Sequence, residues 1–185
     1  MNKIHIVLLT LFCLLAPSAP AQDTNSLKTD LGVFETQTGT VLIKGFSQTG
    51  MLTVGTDVIT VYCKESTDLT TGHKADGLAI VISGNTPPRR RILVDYDEID
   101  SLLDSINYLN KISYDVTPLA SFEASYSTRS GFRVVANSLR RLGAIQVSLE
   151  YGDDLKVLLT TDQMTQFYQL IELAKKNLDT LRNLK

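Results

Sequence analysis

Residues 92–106 read ILVDYDEIDSLLDSI, and the spacing of their apolar side chains changes halfway along the stretch. The run Ile92-Leu93-Val94 is typical of a buried strand, so we predict a strand over 91–95. Beyond Asp97 the apolar residues recur at intervals of three and four, the period of a helix, at Ile99, Leu102, Ile106 and Leu109. Asp97 is the candidate N-cap, because its side chain can accept a hydrogen bond from the first turn. The stretch therefore predicts a strand that leads directly into an amphipathic helix.

Segments rich in β-branched and aromatic residues lie on both sides of this stretch. We predict strands over 33–36, 40–46, 57–64 and 78–83 before it, and over 119–128, 131–137, 143–151 and 155–160 after it. A polar loop is predicted for 65–77, a connector for 113–118, and a second helix from about Asp162 onward. This order predicts an α+β fold made of two antiparallel β-meander-plus-helix units.

The two units align with an offset of 65 positions, which suggests an internal duplication. Four of the twenty pairs that begin at Ile92 are identical: Leu93/Leu158, Asp97/Asp162, Ile106/Ile171 and Lys111/Lys176. Both halves also contain the spacing Leu-x-x-Phe-Glu, at 31–35 and at 119–123. Any strand that leads into a capped helix produces much of this pattern, so duplication and coincidence both stay open.

These patterns divide the chain as follows: a signal peptide over 1–21, a flexible N-terminal segment over 22–30, a first unit over 31–112 and a second unit over 119–185, with one compact domain over 31–185. A meander with one helix leaves a sheet face and a sheet edge uncovered, so two units side by side would bury each other's open surfaces. A groove between the halves is where we expect a ligand.

The first 21 residues have the features of a secretory signal peptide. Lys3 precedes an apolar run over 4–16, and Ala19 and Ala21 supply the small-x-small cleavage pattern. The apolar run is too short for a membrane span, which needs about 20 residues. Cleavage leaves Gln22 first and Cys63 as the one remaining cysteine. We therefore expect a bacterial protein that is periplasmic or secreted, without an internal disulfide and without a transmembrane segment.

The composition, 43% hydrophobic and 21% charged, excludes the disordered and collagen-like classes. The formal net charge is -2, and loss of Lys3 makes it more negative. Nucleic-acid-binding domains usually carry a basic surface, so charge and export both argue against a nucleic-acid partner.

Two segments have recognisable patterns: Tyr96-Asp97-Glu98-Ile99-x-x-Leu102 and Phe122-Glu123-Ala124-x-Tyr126-x-Thr128-Arg129-x-Gly131-Phe132. They resemble segments of a group of exported bacterial proteins of unknown function. The resemblance covers the chain from Ile92 onward and implies export and a bacterial source, but no activity and no functional residues. The outline of two strand-rich units, each closed by a helix, is also similar to the single-stranded-DNA-binding Whirly fold, without a matching motif.

Cys63 and His73 are the remaining cysteine and histidine after cleavage, and together they could form a nucleophile and its base. Strand alternation, however, places Cys63 on the apolar face that carries Ile59 and Val61, which predicts a buried thiol. We therefore predict no catalytic residue.

The acidic run Asp95-x-Asp97-Glu98-x-Asp100 has the composition of a calcium loop. It departs from the EF-hand pattern at Ile99 and at Asp100, the latter at the position of the required glycine. Negative charge in the first turn of a helix accounts for the run, so we predict neither a metal nor a cofactor.

Arginines form two groups that could contact an anionic ligand or partner. One is Arg89-Arg90-Arg91, and the other comprises Arg129, Arg133, Arg140 and Arg141. We select Arg91, Arg129 and Arg133 as candidate ligand-binding residues. Solvated charge, partly paired with the acidic first helix, is the alternative explanation.

The last helix carries an apolar seam at Met164, Phe167, Ile171, Ala174, Leu178 and Leu181. The seam is too short for a convincing coiled coil and is expected to face the core. If its distal end extends past the sheet, Leu178 and Leu181 would favour a homodimer.

Three functions are compatible with these patterns. The first is an exported non-enzymatic domain that binds an unknown protein partner or an anionic small ligand. The second is a hydrolase-like envelope enzyme with a site assembled across the two halves from tyrosines and from Glu35 and Glu123, which would be its acid and base. The third, a nucleic-acid-binding module, requires a basic stripe with stacking aromatic residues and agrees least with the charge.

Export predicts a defined mature chain. We expect the protein purified from the exported fraction to begin at Gln22 and to contain 164 residues. Intact-mass spectrometry measures this directly, and a mass that still includes Met1 would contradict the signal-peptide interpretation.

Overall fold

The structure, a computed structural model, describes residues 28–84, 89–139 and 143–184. Within these ranges the chain forms two four-stranded antiparallel sheets, each with its strands in chain order. The first sheet contains β1 (Leu42–Val54), β2 (Asp57–Asp68), β3 (Lys74–Ser83) and β4 (Arg90–Asp95). The second contains β5 (Glu123–Ser127), β6 (Phe132–Leu139), β7 (Ala144–Tyr151) and β8 (Leu155–Leu159). The two halves therefore form separate sheets.

A helix follows each sheet, which confirms the predicted α+β fold with two meander-plus-helix units. Helix α2 (Ile99–Asn110) follows β4, and α3 (Thr161–Asn183) follows β8. Thr160 caps α3, because its side chain accepts a 3.2 Å hydrogen bond from the Gln163 amide while the Gln163 side chain accepts one from the Thr160 amide. In the part of the chain that the structure describes, no helix is long and apolar enough to cross a bilayer.

The helices pack against each other and mainly against the sheet of the opposite half. Helix α2 lies on β5 and β6, whereas α3 lies on β1 and β2. The Cys63 thiol of β2 donates a 3.3 Å hydrogen bond to the Ala174 carbonyl of α3. Near the end of α3, Arg182 Nη1 lies 2.7 and 2.9 Å from the two carboxylate oxygens of Asp76 in β3. This exchange joins the two halves through one hydrophobic core.

Positions related by the 65-residue offset have the same role in that core. Ile99 and Met164, Leu102 and Phe167, and Ile106 and Ile171 are all 0% exposed. The correspondence does not extend to the Leu-x-x-Phe-Glu pair, since 31–35 is helical and 119–123 is not. Along α3, Leu178 is buried and Leu181 is 44% exposed. Leu178 therefore belongs to the core and not to an exposed surface that a second copy could contact. The homodimer stays a prediction.

The predicted strand over 33–36 is wrong, because this segment belongs to helix α1 (Asp30–Glu35). The Thr29 side chain accepts a 2.9 Å hydrogen bond from the Gly32 amide and caps the helix. The two Asp95 carboxylate oxygens accept the Asp30 and Leu31 amides at 2.8 and 2.9 Å. These bonds satisfy amides that a six-residue helix would otherwise leave without partners. Helix α1 thus begins inside the segment that the sequence predicted to be flexible.

Further boundaries differ from the predictions. The predicted strand over 40–46 is the first part of a longer strand, β1, which continues to Val54. Most of the predicted loop over 65–77 is strand, because β2 and β3 pair as far as Thr67 and Lys74, where a short turn joins them. The predicted strand over 119–128 is reduced to β5. Asp97 is not the N-cap of α2, since a single 3-10 turn, Tyr96–Glu98, precedes the helix and places Glu98 at the cap position.

At Gly77, β3 lies too close to the backbone of β4 for a larger side chain to fit. A Cβ atom there would lie 2.2 Å from the Val94 carbonyl oxygen of β4, whereas a Cβ at Gly45 in β1 would meet no atom closer than 3.7 Å. We expect G77A to lower the free energy of unfolding by about 2 kcal/mol or more, and G45A to change it by less than about 0.5 kcal/mol. Equal stabilities of the two variants in urea denaturation would contradict this packing.

Candidate functional site

The outward face of the first sheet carries basic and apolar side chains. In β2 the side chains of Ile59, Val61 and Cys63 point into the core, so those of Tyr62 and Lys64 point outward. The side chains on this face of β3 are small, including Ala79, which pairs with Tyr62. Because β3 lies between β2 and β4, its small side chains leave a depression between these two strands.

Helix α1 lies across one end of this face. Leu31 packs on Ala79 of β3 and Leu93 of β4, and each of the three is at most 5% exposed. Two contacts therefore hold α1 on the sheet: the apolar packing of Leu31, and the hydrogen bonds from its first amides to the Asp95 carboxylate. Its last residue, Glu35, is therefore held against the sheet.

The Glu35 carboxylate is the centre of a group of cations. One oxygen lies 2.6 Å from Lys64 Nζ and accepts a 2.7 Å hydrogen bond from the Ser66 hydroxyl. The other oxygen lies 3.8 Å from both Lys44 Nζ and Arg91 Nη2. The side chains of Glu35 and Lys64 are each only 5% exposed. One nearly buried carboxylate thus has three cations as neighbours.

Opposing effects set the pKa of the Glu35 carboxyl. Burial raises this pKa. Hydrogen bonds from Lys64 and Ser66 and the charges of Lys64 and Lys44 lower it by a larger amount together, so the net shift is downward from 4.5. Glu35 is therefore ionised at neutral pH and neutralises part of the surrounding positive charge.

Beside Glu35 is a groove of about 260 Å³ that we call the cationic groove. Four of its lining side chains are basic: Lys44, Lys64, Arg89 and Arg91. The other four form an apolar and aromatic floor: Phe46, Tyr62, Ala79 and Val81. The rings of Phe46 and Tyr62 meet edge to face with centroids 6.4 Å apart. The groove can accept negative charge at its rim and an apolar group at its floor.

The three arginines selected from the sequence are not brought together. Arg91 lines the cationic groove. Arg129 lies among the carboxylates of Asp30, Asp95, Asp97 and Glu98. Arg133 lies on the second sheet, 2.8 Å from Glu123 and 3.1 Å from Glu150. Arg129 and Arg133 are thus neutralised by acidic neighbours, and Arg140 and Arg141 lie outside the described residues.

The acidic run that resembles a calcium loop in composition is divided between two cations. Asp95, Asp97 and Glu98 surround Arg129, and Asp100 lies 3.4 Å from Lys175. The Arg129 amide also donates a 2.7 Å hydrogen bond to Glu98. This cluster fastens the β5–β6 turn to the first half of the chain.

Neither proposed catalytic pair is assembled. Cys63 is 3% exposed on the inner face of β2, and burial raises the pKa of its thiol. His73 is exposed in the turn between β2 and β3, beyond the Thr67–Lys74 pair. Glu35 and Glu123 bind different cations on different sheets, Lys64 and Arg133 respectively.

Other grooves lie along α2. One, of about 430 Å³, separates α2 from β5 around Tyr108 and Tyr126, and another, of about 320 Å³, lies between α2 and α3 around Asn110 and Tyr168. Both lie between the halves, where a ligand groove is predicted. A third, of about 380 Å³, lies at the end of α2. Their charged lining residues are Asp104 in the first, Lys111 and Glu172 in the second, and Asp104 and Lys111 in the third. None has the excess of cations found in the cationic groove.

Sequence reasoning missed Lys44, Phe46, Tyr62 and Lys64 as parts of a site. Alternation in β2 already places Tyr62 and Lys64 on the face opposite the buried Cys63, and that signal could have identified two of the eight lining residues. The contribution of β1 follows from its register, in which Phe46 pairs with Lys64. Comparison of the chain with protein-family models and with curated proteins finds no match.

Because its pKa is lower in the folded state, Glu35 stabilises the protein above its unfolded pKa, and this contribution is lost as the pH falls through the folded value. We expect E35Q to lower the free energy of unfolding by roughly 3 kcal/mol at neutral pH, since it leaves Lys64 buried without its counter-ion. The difference from wild type should shrink as the pH falls below 4.5, the ordinary pKa of this carboxyl group. Urea denaturation across this pH range measures it, with D104N, at an exposed helical carboxylate, as the control. A pH-independent difference would contradict the account.

Proposed function

We propose that this chain is an exported bacterial binding protein without enzymatic activity, and that its cationic groove holds an anionic ligand that also has an apolar part. The observation that carries the proposal is the charge balance of the groove: four basic side chains and one carboxylate, Glu35, lie around its apolar floor. Export and bacterial origin enter from the sequence, through the signal peptide and the resemblance to exported proteins.

The charge balance supports an anion as the ligand. Glu35 makes its shortest ionic contact with Lys64, at 2.6 Å, and longer contacts of 3.8 Å with Lys44 and Arg91. The Lys44 and Arg91 side chains are 42% and 56% exposed. Their donors can therefore turn to a ligand without breaking a buried pair. Guanidinium and ammonium groups that are only partly hydrated bind carboxylate, phosphate or sulfonate well.

The floor of the groove supports an apolar group on the same ligand. Phe46, 72% exposed, and half-buried Tyr62 present ring surfaces beside the cations, whereas Ala79 and Val81 are each only 5% exposed. Covering the two rings removes apolar surface from water and contributes about 25 cal/mol per Å² buried. An inorganic anion would satisfy only the rim, so an amphiphilic anion is the better fit.

The paired fluorescent probes 1-anilinonaphthalene-8-sulfonate and N-phenyl-1-naphthylamine test this proposal. They share an aryl-amine framework but differ in the sulfonate. We expect the sulfonate to bind more tightly than the neutral probe, and K44Q/R91Q to weaken its binding about 10-fold or more. Fluorescence titration measures both affinities.

The matched control is K111Q/K176Q, which removes the same charge at exposed positions outside the groove. It should bind the sulfonate like the wild-type protein. Equal affinity for the two probes, or equal loss in both double variants, would overturn the proposal.

A further inference from the structure

Two large apolar side chains project from the same sheet face as the cationic groove. Phe46 and Met51 of β1 pair with Lys64 and Thr60 of β2, so both belong to the outward row. The register shift between Gln48 and Gly50 adds one residue to β1, so Met51, five positions after Phe46, lies on the same face. Phe46 is 72% exposed and Met51 is 60% exposed. A ligand confined to the groove would leave most of this surface in water.

Basic side chains line the groove together with Phe46. Lys44 lies on the same strand, and Arg89 and Arg91 lie across the groove. Glu35, the carboxylate that faces Lys44 and Arg91, is itself only 5% exposed. The solvent-facing part of this surface is therefore cationic and apolar at once. That combination fits an anionic bilayer, where cations meet phosphates and apolar side chains enter the acyl boundary.

We propose that the outward face of the first sheet docks on an anionic membrane surface. A lipid phosphate would enter the cationic groove between Lys44 and Arg91, while Phe46 and Met51 would insert into the interface. The inference rests on the proposed function, because it identifies the amphiphilic anion as a lipid within a bilayer.

Vesicle co-flotation with the mature protein tests this inference. We expect the protein to float with phosphatidylglycerol vesicles and not with phosphatidylcholine vesicles, and to dissociate as ionic strength rises from about 0.1 M to about 1 M. K44Q/R91Q should bind about 25-fold more weakly, since each cation near such a surface contributes a factor of about 5. F46S should bind about 10-fold more weakly through loss of apolar contact.

Two control variants separate this surface from general effects. K111Q/K176Q matches the charge change, and L119S removes an apolar side chain that is 68% exposed elsewhere. Both should bind vesicles like the wild-type protein, and circular dichroism should show that F46S and L119S are folded. Loss of vesicle binding in L119S equal to that in F46S would overturn the inference.

The outcomes also distinguish this inference from the proposed function. If the sulfonate probe binds in the groove but the protein does not float, the ligand is a soluble anion and membrane docking is overturned. Binding to a single-stranded oligothymidylate in preference to vesicles would overturn it in favour of a nucleic acid. If neither the probe nor the vesicles bind, the proposed function fails as well.

Discussion

Packing of α3 against the first sheet is the contact on which the rest of the structure depends. The helix belongs to the second half of the chain, yet it covers the inner face of β1 and β2, while α2 covers part of the second sheet. Burial of each sheet's apolar face thus requires the helix of the other half. The 0% exposure of Leu102, Phe167 and Ile171 shows how completely the two helices are enclosed.

Because the inner face is covered by α3, the outer face of the first sheet is available for another role. Helix α1 covers only one end of it, and the Glu35 carboxylate gathers Lys44, Lys64 and Arg91 at the edge of that cover. The same carboxylate holds buried Lys64 in place and leaves the more exposed cations free to exchange partners. Structural and binding roles are therefore combined in one ionic cluster.

The sequence predicted features that depend on local patterns and missed those that depend on distant pairing. Two features follow from the periodicity of apolar residues alone: the change from strand to helix after Asp95, and the row of apolar residues along α3. Helix α1 was wrongly predicted as a strand. Its first amides donate to the Asp95 carboxylate, 64 and 65 positions away, and a local sequence pattern does not reveal such a distant partner. Of the groove, Arg91 was selected from the sequence, but its contact with Glu35 arises only from folding. Arg129 and Arg133 could not be recognised as neutralised without their acidic partners.

The most direct measurement is an amide nuclear magnetic resonance spectrum of the isotopically labelled protein, titrated with 1-anilinonaphthalene-8-sulfonate. The account predicts that the largest shift changes occur at outward positions of β1, β2 and β4, centred on Phe46, Tyr62 and Arg91. Changes centred instead on the groove between α2 and β5, around Tyr108 and Tyr126, would contradict the assignment of the binding site.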